Sequence, residues 1–129
     1  MIDAFSKYMT VIPIKTKEEG DVVSGIIFVK MGGPPEVLYT DDVSALSTDA
    51  TKKYFKDNDI KHTVTRSHAN IAERAIRTFN DSLYKRVDHA KDDTTQWVDL
   101  VFEILLTYNN KLVHRTTGLV PSEARKEEN

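Results

Sequence analysis

Apolar residues near the start of the chain come in two short β-branched and aromatic runs, "MIDAF" and "YMTVIPI", divided by the polar pair Ser6-Lys7. That layout predicts a β-hairpin. Pro13, near the end of the second run, suits a sheet edge because it has no N–H to give to a ladder. The period then lengthens: Val22, Val23, Ile26 and Ile27, continued by Val29 and Met31, recur at helical spacing and predict a helix from about Lys17 to Met31, ended by Gly32-Gly33. Pro34-Pro35 breaks the chain, and "EVLYTD" reads as a third strand, short and apolar enough for a central, buried position. A short helix follows, with Ser47 or Thr48 as its N-cap and Tyr54 and Phe55 as anchors, and "IKHTVT" is a fourth strand.

Beyond the loop "RSHA", the spacing predicts a long helix from Asn70 to about Ala90. Ala72, Ile76, Phe79, Leu83 and Val87 fall on one face, and Arg74, Arg77, Asp81, Lys85 and Asp88 on the other. A second long helix covers "DDTTQWVDLVFEILLTYNNKLVH", capped by Asp93 or Thr94, with Trp97, Val101, Leu105 and Tyr108 inward. "RTTGLVPSEARKEEN" gives a loop, a short turn and a solvated charged end. The order strand, strand, helix, strand, helix, strand, helix, helix predicts an α/β layered domain with a small mixed sheet.

Composition narrows the function classes. With 129 residues, 40% of them hydrophobic, the chain can bury the core of one domain. A net charge of −2 gives no bulk attraction for nucleic acid, so any such binding must be local. The absence of cysteine excludes a disulfide scaffold, a thiolate zinc site and a cysteine nucleophile. No apolar run reaches the roughly 18 residues of a membrane span, and the N-terminus lacks the layout of a signal peptide. A soluble intracellular protein is expected.

The candidate chemistry lies in carboxylates. Asp41, with Asp42 beside it, stands at the C-terminal end of the third strand, where α/β folds bind ligands, and Glu73 opens the first long helix. Converging there, such groups attract a hard divalent cation that needs few protein ligands. Local readings compete. An Asp-rich turn after a strand needs no function, and "NIAE" makes Glu73 part of a capping box with Asn70. Arg74, Arg77, Lys85 and Arg86 suit phosphates or simply a solvated face, and His68 suits DNA, a metal or neither. Trp97 reads as core or interface.

Taken in order, "IDAFSKYMTVIPIKTK", "YTDD", "HANIAERAIRTFND" and "LLTYNNKLVHRTTGLVPSEAR" resemble the catalytic core of retroviral-type integrases, most of all those of Maverick or Polinton DNA transposons and of long-terminal-repeat retrotransposons. The resemblance runs from Ile2 to about Arg125. It implies an RNase H-like fold over residues 1–125, with 126–129 a charged tail. It also implies a D,D,E triad holding Mg²⁺ or Mn²⁺, DNA strand transfer by a 3′-hydroxyl, dimerisation through the core, and a nuclear or chromatin-associated location. Position by position, Asp41 matches the second catalytic aspartate and Glu73 the glutamate, as catalytic and metal-binding residues. Arg74, Arg77, Lys85 and His68 are the expected DNA contacts. Asp3 matches a position that does not normally hold metal, so the strand carrying the first aspartate is expected to be absent. Val43 replaces a usual glycine, which is expected to cost backbone freedom beside the site. The expectation is an integrase core that is incomplete and inactive as this isolated chain. The alternative is a non-catalytic DNA-binding or dimerisation remnant of a mobile element, and less so another RNase H-like nuclease. For dimerisation, the two long helices with Trp97 are expected to carry apolar faces wider than one core needs.

Overall fold

The computed structural model describes residues 1–28, 35–65, 70–89 and 97–127. They form α1 (Glu19–Phe28), β1 (Val37–Thr40), a single 3₁₀ turn (Ser44–Leu46), α2 (Asp49–Asp57), β2 (Lys61–Val64), α3 (Asn70–His89), α4 (Trp97–Lys111) and α5 (Pro121–Glu127). The chain divides into two compact units, Ile12–Ala69, and Met1–Val11 together with Asn70–Asn129. No helix among the described residues is long and apolar enough to cross a membrane.

In the continuous unit, the start of α1 is set by a local cap. The Asp21 carboxylate accepts from the Thr16 N–H and hydroxyl, both at 2.8 Å, and the Thr16 hydroxyl accepts from the Glu18 N–H. Residues 16–18 are committed to that knot, so the helix begins at Glu19 rather than Lys17; its expected end at Gly32-Gly33 lies outside the described residues. β1 and β2 pair in parallel, Val37 beside Lys61 through Thr40 beside Val64. Of the two expected caps for α2, Thr48 is the one used, accepting from the Thr51 N–H while donating to Glu19. Thr51 is fully buried and donates to the Ala45 carbonyl. Leu38, Leu46, Phe55 and Ile60 make the core of this unit, with Val22, Ile26 and Tyr54 packed against it. β1 was expected to be central and buried, yet Tyr39 is 62% exposed and Val37 40%. Among the described residues its sheet has only two strands, and alternate side chains on one face stay open.

In the other unit, the expected hairpin pairs through one antiparallel bridge, Ile2 with Met9, flanked by Thr10 N–H to Met1 C=O and Asp3 N–H to Tyr8 C=O, both 2.9 Å. Pairing stops there because the turn takes its partners from a side chain: Asp3 accepts from the N–H groups of Phe5 and Ser6 and from the Ser6 hydroxyl. The core joins Met9, Ala75, Phe79, Val101, Ile104 and Tyr108. α3 buries Phe79 and packs Leu83 against the core as expected, but Ala75 is buried in place of Ile76, which is 58% exposed. α4 buries Val101, Ile104, Tyr108 and Asn109. Trp97, expected inward, lies in its first turn and is 40% exposed.

Asn109 joins the ends of the sequence. Its side-chain oxygen accepts from the Met9 N–H and its amide donates to the Met9 carbonyl, both at 2.9 Å, with the residue 3% exposed. The side chain thus replaces a neighbouring strand for Met9, which accounts for a buried polar group in the middle of the core. After α4 the chain turns at Gly118, whose φ of +70° suits glycine, with its N–H donating to His114 C=O at 2.8 Å. Pro121 then opens α5, where its missing N–H costs nothing. The expected short turn is therefore a helix of seven residues, with Ala124 buried at 2% exposure.

Candidate metal and nucleic-acid site

Asp41 follows β1 directly. The last ladder bond, Thr65 N–H to Thr40 C=O at 2.8 Å, fixes the strand end, and the Thr40 hydroxyl is hydrogen-bonded to His62 Nε2 at 2.8 Å. The Val43 N–H then donates to the Asp41 carbonyl, turning the chain out. Asp41 and Asp42 are both exposed, and among the described residues neither carboxylate accepts a hydrogen bond. The turn is thus built by backbone groups, and the side chains are not needed to make it. Val43, expected to cost backbone freedom in place of a glycine, has a φ of −104° and ψ of 120°, extended backbone that any residue adopts.

Glu73 lies exposed in the first turn of α3, where the positive end of the helix dipole favours a carboxylate. Its capping-box reading depends on the Asn70 side chain, which lies outside the described part. Arg74, Arg77, Asp81 and Lys85 are exposed, as expected for the polar stripe. Arg86 is different, half-buried and paired with Glu103 of α4 at 3.5 Å, so it serves helix packing. His68 lies outside the described residues.

The electrostatics show groups that periodicity alone had not singled out. Burial, then the positive fields of Lys7 and Arg74, hold His114 below its ordinary pKa of 6.5, and its Nδ1 accepts from the Thr116 N–H at 3.4 Å. Lys7 of the N-terminal turn and Arg74 of α3 thus act electrostatically on His114 of the loop after α4. For Asp3, burial pushes the pKa up, but the Ser6 and Phe5 hydrogen bonds and the Arg125 guanidinium outweigh it and hold the carboxyl below 3.8. Arg125 lies over the Tyr8 ring, 4.7 Å from its centre. Asp3 is thus a turn-forming residue with its oxygens occupied.

A two-ion centre needs several converging carboxylates. Among the described residues no three His, Asp or Glu side chains lie together, and Asp41 and Glu73 belong to different compact units. The described residues do not by themselves fit a complete magnesium centre, and no catalytic step is derived through one.

Comparison with known proteins bears on the whole chain. No family model matches it. A retrovirus-related Pol polyprotein from transposon 297 of Drosophila melanogaster is 30% identical over 126 residues, which is 95% of this chain but 12% of that polyprotein. The trimeric form of the HTLV-2 integrase catalytic core domain in complex with magnesium superposes with a TM-score of 0.82 at 18% identity, covering 95% of this chain and 80% of that one. Its dimeric form gives 0.78 at 19% identity, covering 95% and 79%. A chain of the simian T-cell lymphotropic virus intasome in complex with PP2A regulatory subunit B56 gamma gives 0.83 at 18%, covering 95% and 45%. Over 95% of its length, then, the chain has the RNase H-like fold of a retroviral integrase catalytic core.

Proposed function

We propose that this chain is the core of an integrase-type protein from a mobile element and that it works by holding DNA, with Arg74, Arg77 and Lys85 on the phosphates. The observation that carries the reading is the polar stripe exposed along α3 of an integrase-core fold, in which Arg74, Arg77 and Lys85 stand with Asp81. Neutralised phosphates release counterions, so such a stripe gives salt-dependent affinity even in a chain of net charge −2. His68 joins these residues as a proposed DNA contact. The transposon Pol relative supports the mobile-element origin, and a nuclear or chromatin-associated location follows from the same role.

Asp41 and Glu73 are the positions proposed for Mg²⁺ or Mn²⁺, which would supply Lewis-acid chemistry for phosphodiester attack. Their part here is to present exposed carboxylates from a strand end and a helix start. The isolated chain is proposed to be inactive in strand transfer. Incubation with Mn²⁺ and donor DNA bearing a free 3′-hydroxyl should give no product; product that disappears in Asp41→Asn would overturn this and assign Asp41 a catalytic role. DNA binding itself is tested by anisotropy. Replacing Arg74, Arg77 and Lys85 by alanine should lower the slope of log affinity against log salt by roughly two to three. An unchanged slope would remove the stripe from the interface.

A homodimer is part of the proposal. Val98, Phe102 and Leu106 are exposed along α4, beside an apolar recess formed with Tyr8 and Met9. The solved HTLV-2 cores occur in dimeric and trimeric forms, which supports assembly through such a core.

A further inference from the structure

The two strands of the continuous unit are not protected alike. β2 carries Lys61 within it, a charge of the kind that discourages further pairing, whereas β1 is Val37, Leu38, Tyr39 and Thr40, apolar or β-branched, with no charge and no proline. Its ladder shows which groups remain. The Lys61 N–H donates to the Glu36 carbonyl at 2.9 Å and the Thr65 N–H to the Thr40 carbonyl at 2.8 Å. In a parallel pair, Glu36, Leu38 and Thr40 therefore turn their backbone groups toward β2, and Val37 and Tyr39 turn theirs away. Among the described residues, the N–H and C=O of Val37 and Tyr39 have no partner. Both residues are also exposed, so these groups stand open to another chain.

Charge decides what fits there. The strand is bracketed by exposed carboxylates, Glu36 before it and Asp41 and Asp42 after it. A second copy, laid along β1 in either direction, would bring the same three carboxylates against its own, and like charges set opposite one another oppose pairing. A segment ending in Lys or Arg meets them with the opposite sign. Leu38 is buried in the core of this unit and Val37 and Tyr39 alternate with it, so β-branched side chains on an added strand find apolar neighbours on both faces. We propose that the outer edge of β1 takes up an extended peptide segment, β-branched along its length with basic residues at its ends, as a third strand. The backbone groups of Val37 and Tyr39 supply the bonds, and Glu36, Asp41 and Asp42 supply the preference. No residue of the α3 stripe takes part, so the proposal stands apart from the DNA-holding reading.

The test uses the whole chain in metal-free buffer and fluorescein-labelled heptapeptides followed by anisotropy. The peptides are Lys-Val-Thr-Val-Thr-Val-Lys, the same sequence with Glu at both ends, and the first peptide N-methylated at its inner residues. The basic-ended peptide should bind about tenfold more tightly than the acidic one. N-methylation keeps every side chain but removes the donors, and should abolish binding. Glu36→Lys combined with Asp42→Lys should reverse the preference and, at two exposed positions, leave the thermal unfolding curve in place. Tyr39→Pro takes away an outward N–H and no bond to β2, and should release both peptides. An N-methylated peptide that binds as well as its parent would overturn strand addition and leave only charge attraction. Absence of binding by the basic-ended peptide at low salt would overturn the proposal outright. A chain that dimerises until Tyr39→Pro disperses it, and takes up no peptide, would assign the edge to a second copy instead.

Discussion

Asn109 is the residue whose loss should cost most for its size. Truncation in Asn109→Ala leaves the N–H and C=O of Met9 buried without partners, each a penalty of the order of 1–3 kcal/mol. A loss of roughly 2–4 kcal/mol is expected in urea unfolding. Asn109→Asp should be no better, since its second oxygen would face the Met9 carbonyl where the amide now donates. A cost below about 1 kcal/mol would mean that the clamp is not formed in solution. Asp3 sets a pH dependence of known sign. Its folded pKa lies below 3.8, so its stabilising part is complete above that value and is lost as pH falls through the folded pKa. Asp3→Asn should flatten the acid limb of the stability curve below about pH 4. His114 works in the same direction from a different cause. Held below 6.5 when folded, it leaves the unfolded chain binding more protons, so stability drops as pH falls below 6.5, and His114→Gln should remove that drop.

At the level of elements, α3 supplies a contrast. Phe79→Ala should cost about 3–5 kcal/mol, whereas Ile76→Lys, on an exposed position, should change stability by less than about 0.5 kcal/mol. Chemical denaturation of the two variants checks that Phe79 lies in the core and Ile76 does not. Sequence periodicity found α3 and its polar stripe, because a 20-residue amphipathic helix repeats its pattern several times. It missed which of Ala75 and Ile76 faces α4, since a small residue wins where two helices approach closely and hydrophobicity does not report that. The hairpin was legible as a turn but not as a ladder, because the bonds that replace strand pairing come from Asp3, Ser6 and the distant Asn109. Asp41 and Glu73 could be named as candidates from their motifs alone; Lys7 and His114 could not, because they are 107 positions apart in the sequence. Much of the motif set is structural. In "DAFSKY" Asp3 and Ser6 build a turn, in "YNN" Asn109 is a clamp, and in "HRTTGLVPSEA" Gly118, Pro121 and Ala124 build a corner.

For the whole molecule, association is the property to measure. Exposed Val98, Phe102 and Leu106 give α4 an apolar outer face, so sedimentation at micromolar concentration should show a dimer that Phe102→Lys shifts to monomer. Wild type that stays monomeric would leave that face without its proposed partner. The tie between Met9 and Asn109 has a further consequence in time. At a synthesis rate of about 5–20 residues per second, Met9 waits roughly 5–20 seconds for the asparagine 100 positions downstream. The stretch Ile12–Ala69 is continuous in sequence and leaves the ribosome complete well before that. Its core is therefore free to form first, while the opening residues stay uncommitted until the last helices arrive. Release of a nascent chain arrested before Asn109 should find α2 protected from protease and the first eleven residues cleavable.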